Sequence, residues 1–99
     1  YLLRIHQPDL VIYDAGIDIH QQDDLGLLHI STAGVAERDW CVLNECHKRS
    51  IPVAAVIGGG YQRDLSALTQ IHLQLFYAAF KISGLPLPNT NRWFHALRT

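Results

Sequence analysis

The amino-acid sequence predicts an α/β fold in which parallel strands alternate with helices in the order β-α-β-α. Three observations support this prediction. Two short, continuous apolar runs, at residues 10–13 and 53–57, are typical of strands buried on both faces of a parallel sheet. A segment with helical periodicity follows each run. The links between these elements are short apart from the loop after the first strand. This alternating order favours parallel strands with right-handed crossovers.

The amino-terminal third of the chain is predicted to contain the end of a helix, a strand and a loop. Residues 1–6 have the character of a helix tail, which Pro8 interrupts. The first apolar run ends at residues 14–16 (Asp-Ala-Gly), so residues 17–28 are predicted to be loop.

Two helices are predicted in the rest of the chain. Ser31 is a candidate N-cap for a helix that extends to about Arg49. Three consecutive glycines, residues 58–60, end the second strand, and a second helix is predicted at about residues 63–83. That helix is apolar on several sides, so it is expected to be covered on several sides.

The predicted sheet is too small to be complete. Two strands do not make a stable parallel sheet with both faces covered, so the chain is expected to be part of a larger domain. The remaining residues, 84–99, are predicted to form a tail that docks a short terminal segment through Trp93, Phe94 and Leu97.

The composition is that of a globular protein. Apolar residues make up 48% of the chain, charged residues 17%, and the formal net charge is −1. A nucleic-acid partner or a membrane surface is therefore not expected, and no apolar run approaches the roughly 20 residues that span a bilayer. Cys41 and Cys46 have neither metal-knuckle nor disulfide-framework spacing, and two reduced helix cysteines predict a cytoplasmic location.

Two polar clusters are candidates for a functional site. Residues 14–24 follow the first strand, and Gly58-Gly59-Gly60-Tyr61 follows the second. In open α/β sheets, sites form at the carboxyl ends of the strands. Parallel strands would bring both clusters to the same edge of the sheet.

The first cluster contains potential metal ligands. Asp18 and His20 are two residues apart, and a carboxylate with an imidazole suits Zn²⁺ or another borderline divalent metal. The alternative is an acidic surface loop, in which Asp14, Asp23 and Asp24 cap turns.

The glycine turn permits close approach of the backbone to a ligand. Both phosphate-binding fingerprints fail, because Tyr61-Gln62 stands where the P-loop needs Lys-Ser/Thr and Arg63 stands where the dinucleotide fingerprint needs glycine. A nucleotide-binding unit is therefore disfavoured, and a purely structural turn remains the alternative. Tyr61 could aim its hydroxyl into a cleft and donate a hydrogen bond to a developing oxyanion.

Other polar residues are predicted to have structural roles. His72 shares a helix face with leucines, which favours a hydrogen-bonded histidine in the core. The run Glu37-Arg38-Asp39 is predicted to form a solvated helix face with intrahelical pairs.

The two clusters resemble motifs of the histone deacetylase superfamily. Residues 8–18 (Pro-Asp-Leu-Val-Ile-Tyr-Asp-Ala-Gly-Ile-Asp) resemble the strand and loop that carry its third zinc ligand, and residues 23–26 (Asp-Asp-Leu-Gly) are similar to its Asp-x-Leu-Gly. Residues 30–39 resemble the start of the next helix. Residues 51–53 (Ile-Pro-Val) and 58–61 (Gly-Gly-Gly-Tyr) resemble the strand and turn that lead to the catalytic tyrosine. The likeness covers about residues 8–80 and is greatest to class IV and related bacterial deacetylases.

The resemblance implies a three-layer arginase/deacetylase fold and the hydrolysis of N-acetyl (acyl) lysine or a similar acylated amine. It implies that Asp18 is a zinc ligand and that Tyr61 hydrogen-bonds the acyl carbonyl as it becomes tetrahedral. Gly58, Gly59 and Gly60 would let that tyrosine approach. The resemblance further implies that Asp23 orders its loop and that His20 lies at the rim of the site, or behind the ligands, without binding the metal.

The family's remaining catalytic groups are not found in this sequence. The resemblance implies a His-His pair as general base and acid, and two further zinc ligands from an Asp-x-His, all from earlier in the chain. The sequence has no His-His, and Asp18-Ile-His20 is its only Asp-x-His. Residues 1–99 are therefore expected to be the C-terminal fragment of a single deacetylase domain, inactive without the missing N-terminal part. The alternative is a non-catalytic binding or interaction module derived from this fold.

Overall fold

The computed structural model describes residues 1–85, which form two strands and three helices in the predicted order. The first helix corresponds to the predicted helix tail, and the loop between the first strand and the second helix is as long as expected. The elements are α1 (Leu2–His6), β1 (Val11–Asp14), α2 (Thr32–Lys48), β2 (Val53–Val56) and α3 (Leu65–Ser83).

Short-range capping sets the ends of the two long helices. The Ser31 hydroxyl accepts a hydrogen bond from the Gly34 amide (3.1 Å), as predicted for the N-cap of α2. The Asp64 carboxylate accepts one from the Ala67 amide (3.1 Å) at the start of α3. Gly84, with a φ of 72°, ends α3 in the left-handed conformation that favours glycine.

The two strands are parallel, as predicted, and their register runs from Val11 opposite Val53 to Asp14 opposite Val56. The pairing extends beyond both ends of the ladder, because the Val11 amide donates to the Pro52 carbonyl and the Ala15 amide donates to the Val56 carbonyl (both 2.9 Å). The carboxyl ends of β1 and β2 therefore lie at one edge, where the two polar clusters begin.

Only one face of the sheet is covered within residues 1–85. Helices α2 and α3 pack against each other and against this face, where Ala15, Leu43, Leu75 and Ala78 form a buried cluster. The opposite face is open, and Ile12 is 73% exposed. The described residues therefore do not supply the cover that the prediction of strands buried on both faces requires, since the short helix α1 buries none of its residues.

Within residues 1–85, no helix combines the length and the apolar character needed to cross a membrane. The predicted docking of Trp93, Phe94 and Leu97 lies outside the described residues.

Candidate active site

Backbone hydrogen bonds join the two polar loops at the carboxyl edge of the sheet. The Ile17 amide donates to the Gly59 carbonyl (2.6 Å), and the Asp24 amide donates to the Tyr61 carbonyl (3.1 Å). The loop after β1 and the glycine turn after β2 therefore form one unit, as their predicted placement at a common edge requires.

The glycines of the turn lie directly against two carboxylates. A Cβ at position 59 would be 2.6 Å from Asp18 Oδ2, and one at position 58 would be 2.0 Å from Asp14 Oδ1. Because real Cβ atoms do not come this close to an oxygen, only glycine fits these positions without displacing the acidic side chains.

The Asp18 carboxylate is available to a ligand. It is half-buried, and no hydrogen bond or ion pair from the described residues reaches its oxygens. A carboxylate in this position suits a cation, because a charge withdrawn from water is normally paired or bound to a metal.

Tyr61 lies next to this carboxylate. A Cβ at position 59 would be 3.3 Å from Tyr61 Cε2, so the tyrosine ring and Asp18 approach the same glycine. The side chain is about half exposed, and its hydroxyl makes no hydrogen bond with any of the residues described. The phenol is therefore free to donate to a bound molecule.

Asp23 holds the backbone of Tyr61. Its Oδ2 accepts from the Tyr61 amide (2.7 Å), while its Oδ1 accepts from the amides of Leu25 (3.0 Å) and Gly26 (2.8 Å). Desolvation acts to raise the pKa of Asp23, but these donors hold it below its ordinary value of 3.8. The charged form thus stabilises the docked loop at neutral pH, and the contribution is lost as the pH falls through the lowered pKa.

We expect Asp23→Asn to loosen the glycine turn. Asparagine keeps one oxygen for Leu25 and Gly26 but presents an amide group to the Tyr61 N–H. A hydrogen bond to a charged acceptor is stronger than one to a neutral group, so the Tyr61 amide should exchange with solvent roughly tenfold faster in the variant. Hydrogen exchange followed by mass spectrometry measures the protection of the Tyr61 amide. Asp9→Asn is the control, because Asp9 is exposed and lies outside the loop after β1 and the glycine turn. Unchanged protection of Tyr61 would show that Asp23 does not hold the turn.

His20 lies behind the loop and not on its exposed rim. It is 2% exposed, its Nδ1 accepts from the Gln22 amide (3.1 Å), and its Nε2 is 2.9 Å from Thr32 Oγ1. Because Nδ1 accepts, the neutral ring carries its proton on Nε2 and donates it to Thr32. Both nitrogens are thus engaged in joining the loop to the start of α2, and neither is free for a metal ion.

The predicted intrahelical pairing in the run Glu37-Arg38-Asp39 is present between Arg38 and Asp39, but the prediction that Asp39 is solvated is wrong. Asp39 is 1% exposed, and its Oδ1 accepts from Tyr13 Oη (2.5 Å), Arg38 Nη2 (2.9 Å) and Arg38 Nε (3.1 Å). Arg38 Nη1 donates to the Gly16 carbonyl (2.6 Å). Desolvation, reinforced by the hydrogen bond to Asp39, raises the pKa of Tyr13, which keeps this phenol protonated as a donor.

His72 also differs from its prediction. It is half-buried, and no hydrogen bond links it to another described residue. Its Nε2 would be 3.2 Å from a Cβ at position 60, so the ring lies beside the glycine turn. Burial lowers its pKa, which favours the neutral imidazole.

The described residues do not form a complete metal site. Zinc sites in enzymes use about three protein ligands and a water molecule. Across residues 1–85, no group of three His, Cys, Asp or Glu side chains is placed to hold a metal. Asp18 fits as a single ligand, and the described residues do not hold zinc by themselves.

Comparison with known proteins gives a consistent result. The model of the histone deacetylase domain matches residues 1–76. An uncharacterized protein of Picosynechococcus sp. is 45% identical over 78 residues, which cover 79% of this chain and 26% of the relative. Histone deacetylase 2 of Arabidopsis thaliana is 45% identical over 60 residues, covering 61% of this chain and 16% of the relative. The chain thus spans about a quarter or less of the length of these relatives.

Proposed function

Because the chain belongs to the histone deacetylase family, we propose that it forms the C-terminal part of a zinc-dependent deacetylase domain. The substrate class is N-acetyl (acyl) lysine or a similar acylated amine. The observation that carries the proposal is the placement of the Asp18 carboxylate and the Tyr61 ring against the same glycine, Gly59. The family match and this juxtaposition support the proposal independently.

Asp18 is proposed as one zinc ligand. The remaining ligands and the general base would come from a part of the domain outside this sequence. When bound, zinc would polarise the acyl carbonyl and activate a water molecule. Asp18 contributes a half-buried carboxylate that the described residues leave free, and Gly59 leaves room beside it.

Tyr61 is proposed as the hydrogen-bond donor to the acyl oxygen. Its hydroxyl would stabilise negative charge on that oxygen in the tetrahedral transition state. Asp23 and Asp24 hold the Tyr61 backbone on both its amide and its carbonyl side, which reduces the reorganisation needed during reaction. Gly58 and Gly59 allow the turn to lie close to the carboxylates of Asp14 and Asp18, and Gly60 allows it to lie against Ile17, Leu68 and His72.

A cytoplasmic location is part of the same proposal. Cys41 is exposed and Cys46 is buried, and both are free thiols. Free cysteines in this arrangement are typical of a reducing compartment.

Removal of the metal from the full-length protein tests the proposed activity. We expect the zinc-loaded protein to release acetate from an acetyl-lysine peptide, and a chelator to abolish turnover until zinc is restored. Turnover that is insensitive to chelation would contradict the zinc mechanism. A zinc-loaded protein that binds acylated peptides without hydrolysing them would instead favour a non-catalytic binding module.

A further inference from the structure

We propose that Arg38 is a positioning residue for the active site, acting through the peptide group between Gly16 and Ile17. The proposal rests on the proposed function of Asp18 and Tyr61. It concerns a residue that touches neither the metal nor the substrate and that acts through the loop after β1.

The guanidinium of Arg38 is fixed at both ends. Nε and Nη2 donate to Asp39 Oδ1, and Nη1 donates to the Gly16 carbonyl at 2.6 Å. Because the guanidinium is planar, holding the Nε–Nη2 edge on Asp39 Oδ1 determines where the Nη1 N–H points. Arg38 also lies over the Tyr13 ring, with Cζ 5.7 Å from the ring centroid.

Asp39 provides a rigid support for this arginine. It is 1% exposed, and a buried carboxylate is stable only when its oxygens are paired and hydrogen-bonded. Tyr13, from β1, supplies a third donor to Oδ1 at 2.5 Å. A clamp of three residues, Tyr13, Arg38 and Asp39, therefore joins helix α2 to strand β1 at the point where the strand leads into the loop after β1.

The peptide group between Gly16 and Ile17 links Arg38 to the glycine turn. Its carbonyl accepts from Arg38, while its N–H donates to the Gly59 carbonyl at 2.6 Å. A trans peptide directs these two groups to opposite sides, so one rigid unit spans the gap from α2 to the glycine turn. Hydrogen bonds in such a chain polarise and strengthen one another. Gly59 in turn lies against the Asp18 carboxylate and the Tyr61 ring.

If Arg38 only stabilised the fold, its replacement would have different effects from the replacement of a positioning residue. It would lower the stability of the fold without changing the zinc affinity or the kcat of the molecules that remain folded. A positioning residue should change both, while the KM for the substrate stays nearly constant. Groups that orient metal ligands typically affect affinity or activity by about 10- to 100-fold.

The test compares Arg38→Lys with Arg49→Lys in the full-length protein. Lysine keeps the charge but cannot bond Asp39 and Gly16 together in a fork. Arg49 caps the end of the same helix and contacts Glu45, away from the loop, so it is the matched control. Zinc affinity is measured by competition with a chelator, alongside kcat, KM and the melting temperature.

We expect Arg38→Lys to weaken zinc binding and lower kcat by about 10- to 100-fold each, with KM changed less than about twofold and Arg49→Lys like the wild type. Wild-type zinc affinity and kcat in Arg38→Lys would overturn the proposal, whatever the melting temperature. If that variant does not fold, Tyr13→Phe, which removes one donor to Asp39, should weaken zinc binding measurably, and unchanged affinity there would overturn it.

Asp18→Asn, measured in the same zinc titration, distinguishes failure of the Arg38 proposal from failure of the proposed function. A loss of zinc affinity in Asp18→Asn with none in Arg38→Lys contradicts only the role of Arg38. Wild-type affinity in Asp18→Asn contradicts the proposed function, and the positioning role with it.

Discussion

Replacement of Tyr61 by phenylalanine in the full-length protein is expected to lower kcat by about 100- to 1000-fold. The substitution removes only the hydroxyl, which makes no hydrogen bond with the described residues and is proposed to donate to the acyl oxygen in the transition state. Because this bond strengthens as negative charge develops, the loss should fall on kcat more than on KM. Steady-state hydrolysis of an acetyl-lysine peptide measures both constants.

Tyr77→Phe is the matched control for this experiment. Tyr77 lies on α3 beside Trp40 and Lys81, in a pocket that contains no residue of the glycine turn, and it also loses only a hydroxyl. Zinc content and melting temperature should be unchanged in both variants. A Tyr61→Phe variant that keeps kcat within a factor of about two would rule out an oxyanion role for this residue.

Replacement of Asp18 by asparagine is expected to remove most of the zinc and, with it, most of the turnover. Asparagine has the same shape, so contact with Gly59 is retained, but it lacks the negative charge that a zinc ligand contributes. The zinc dissociation constant should rise by more than the 10- to 100-fold that is typical of groups behind the ligands. Metal analysis after dialysis and chelator competition provide the two measurements.

Asp9→Asn, which removes an exposed carboxylate before β1, is the control for this change. It should retain zinc and activity in full. Normal zinc stoichiometry in Asp18→Asn, with normal turnover, would contradict the assignment of Asp18 as a ligand.

The elements that the sequence predicted well depend on local chemistry. Ser31 caps α2 as predicted, and α3 begins within two residues of its predicted start; both helix starts depend on hydrogen bonds to residues three positions away, so nearby sequence is sufficient to locate them. The parallel pairing of β1 and β2 followed from the strand–helix–strand order, and it brought the two polar clusters to one edge.

Features that depend on packing between distant segments were not predictable in the same way. Arg38 and Asp39 look like ordinary surface residues of a helix, and only the position of α2 against β1 brings Tyr13 to Asp39 and Gly16 to Arg38. His20 looked like a metal ligand by spacing, but His20 itself pairs with Ile30 in an isolated β-bridge, and its ring is hydrogen-bonded with Thr32. Apolar character alone also could not tell which face of the sheet the described helices cover.

A zinc-edge anomalous difference map from a crystal of the full-length protein tests the central claim most directly. We predict one strong peak about 2.0–2.2 Å from an oxygen of the Asp18 carboxylate, the usual zinc–carboxylate distance, with the Tyr61 hydroxyl facing the same cavity. A zinc peak bound elsewhere, with Asp18 making no bond to it, would contradict the claim that this chain contributes a ligand to a deacetylase metal site.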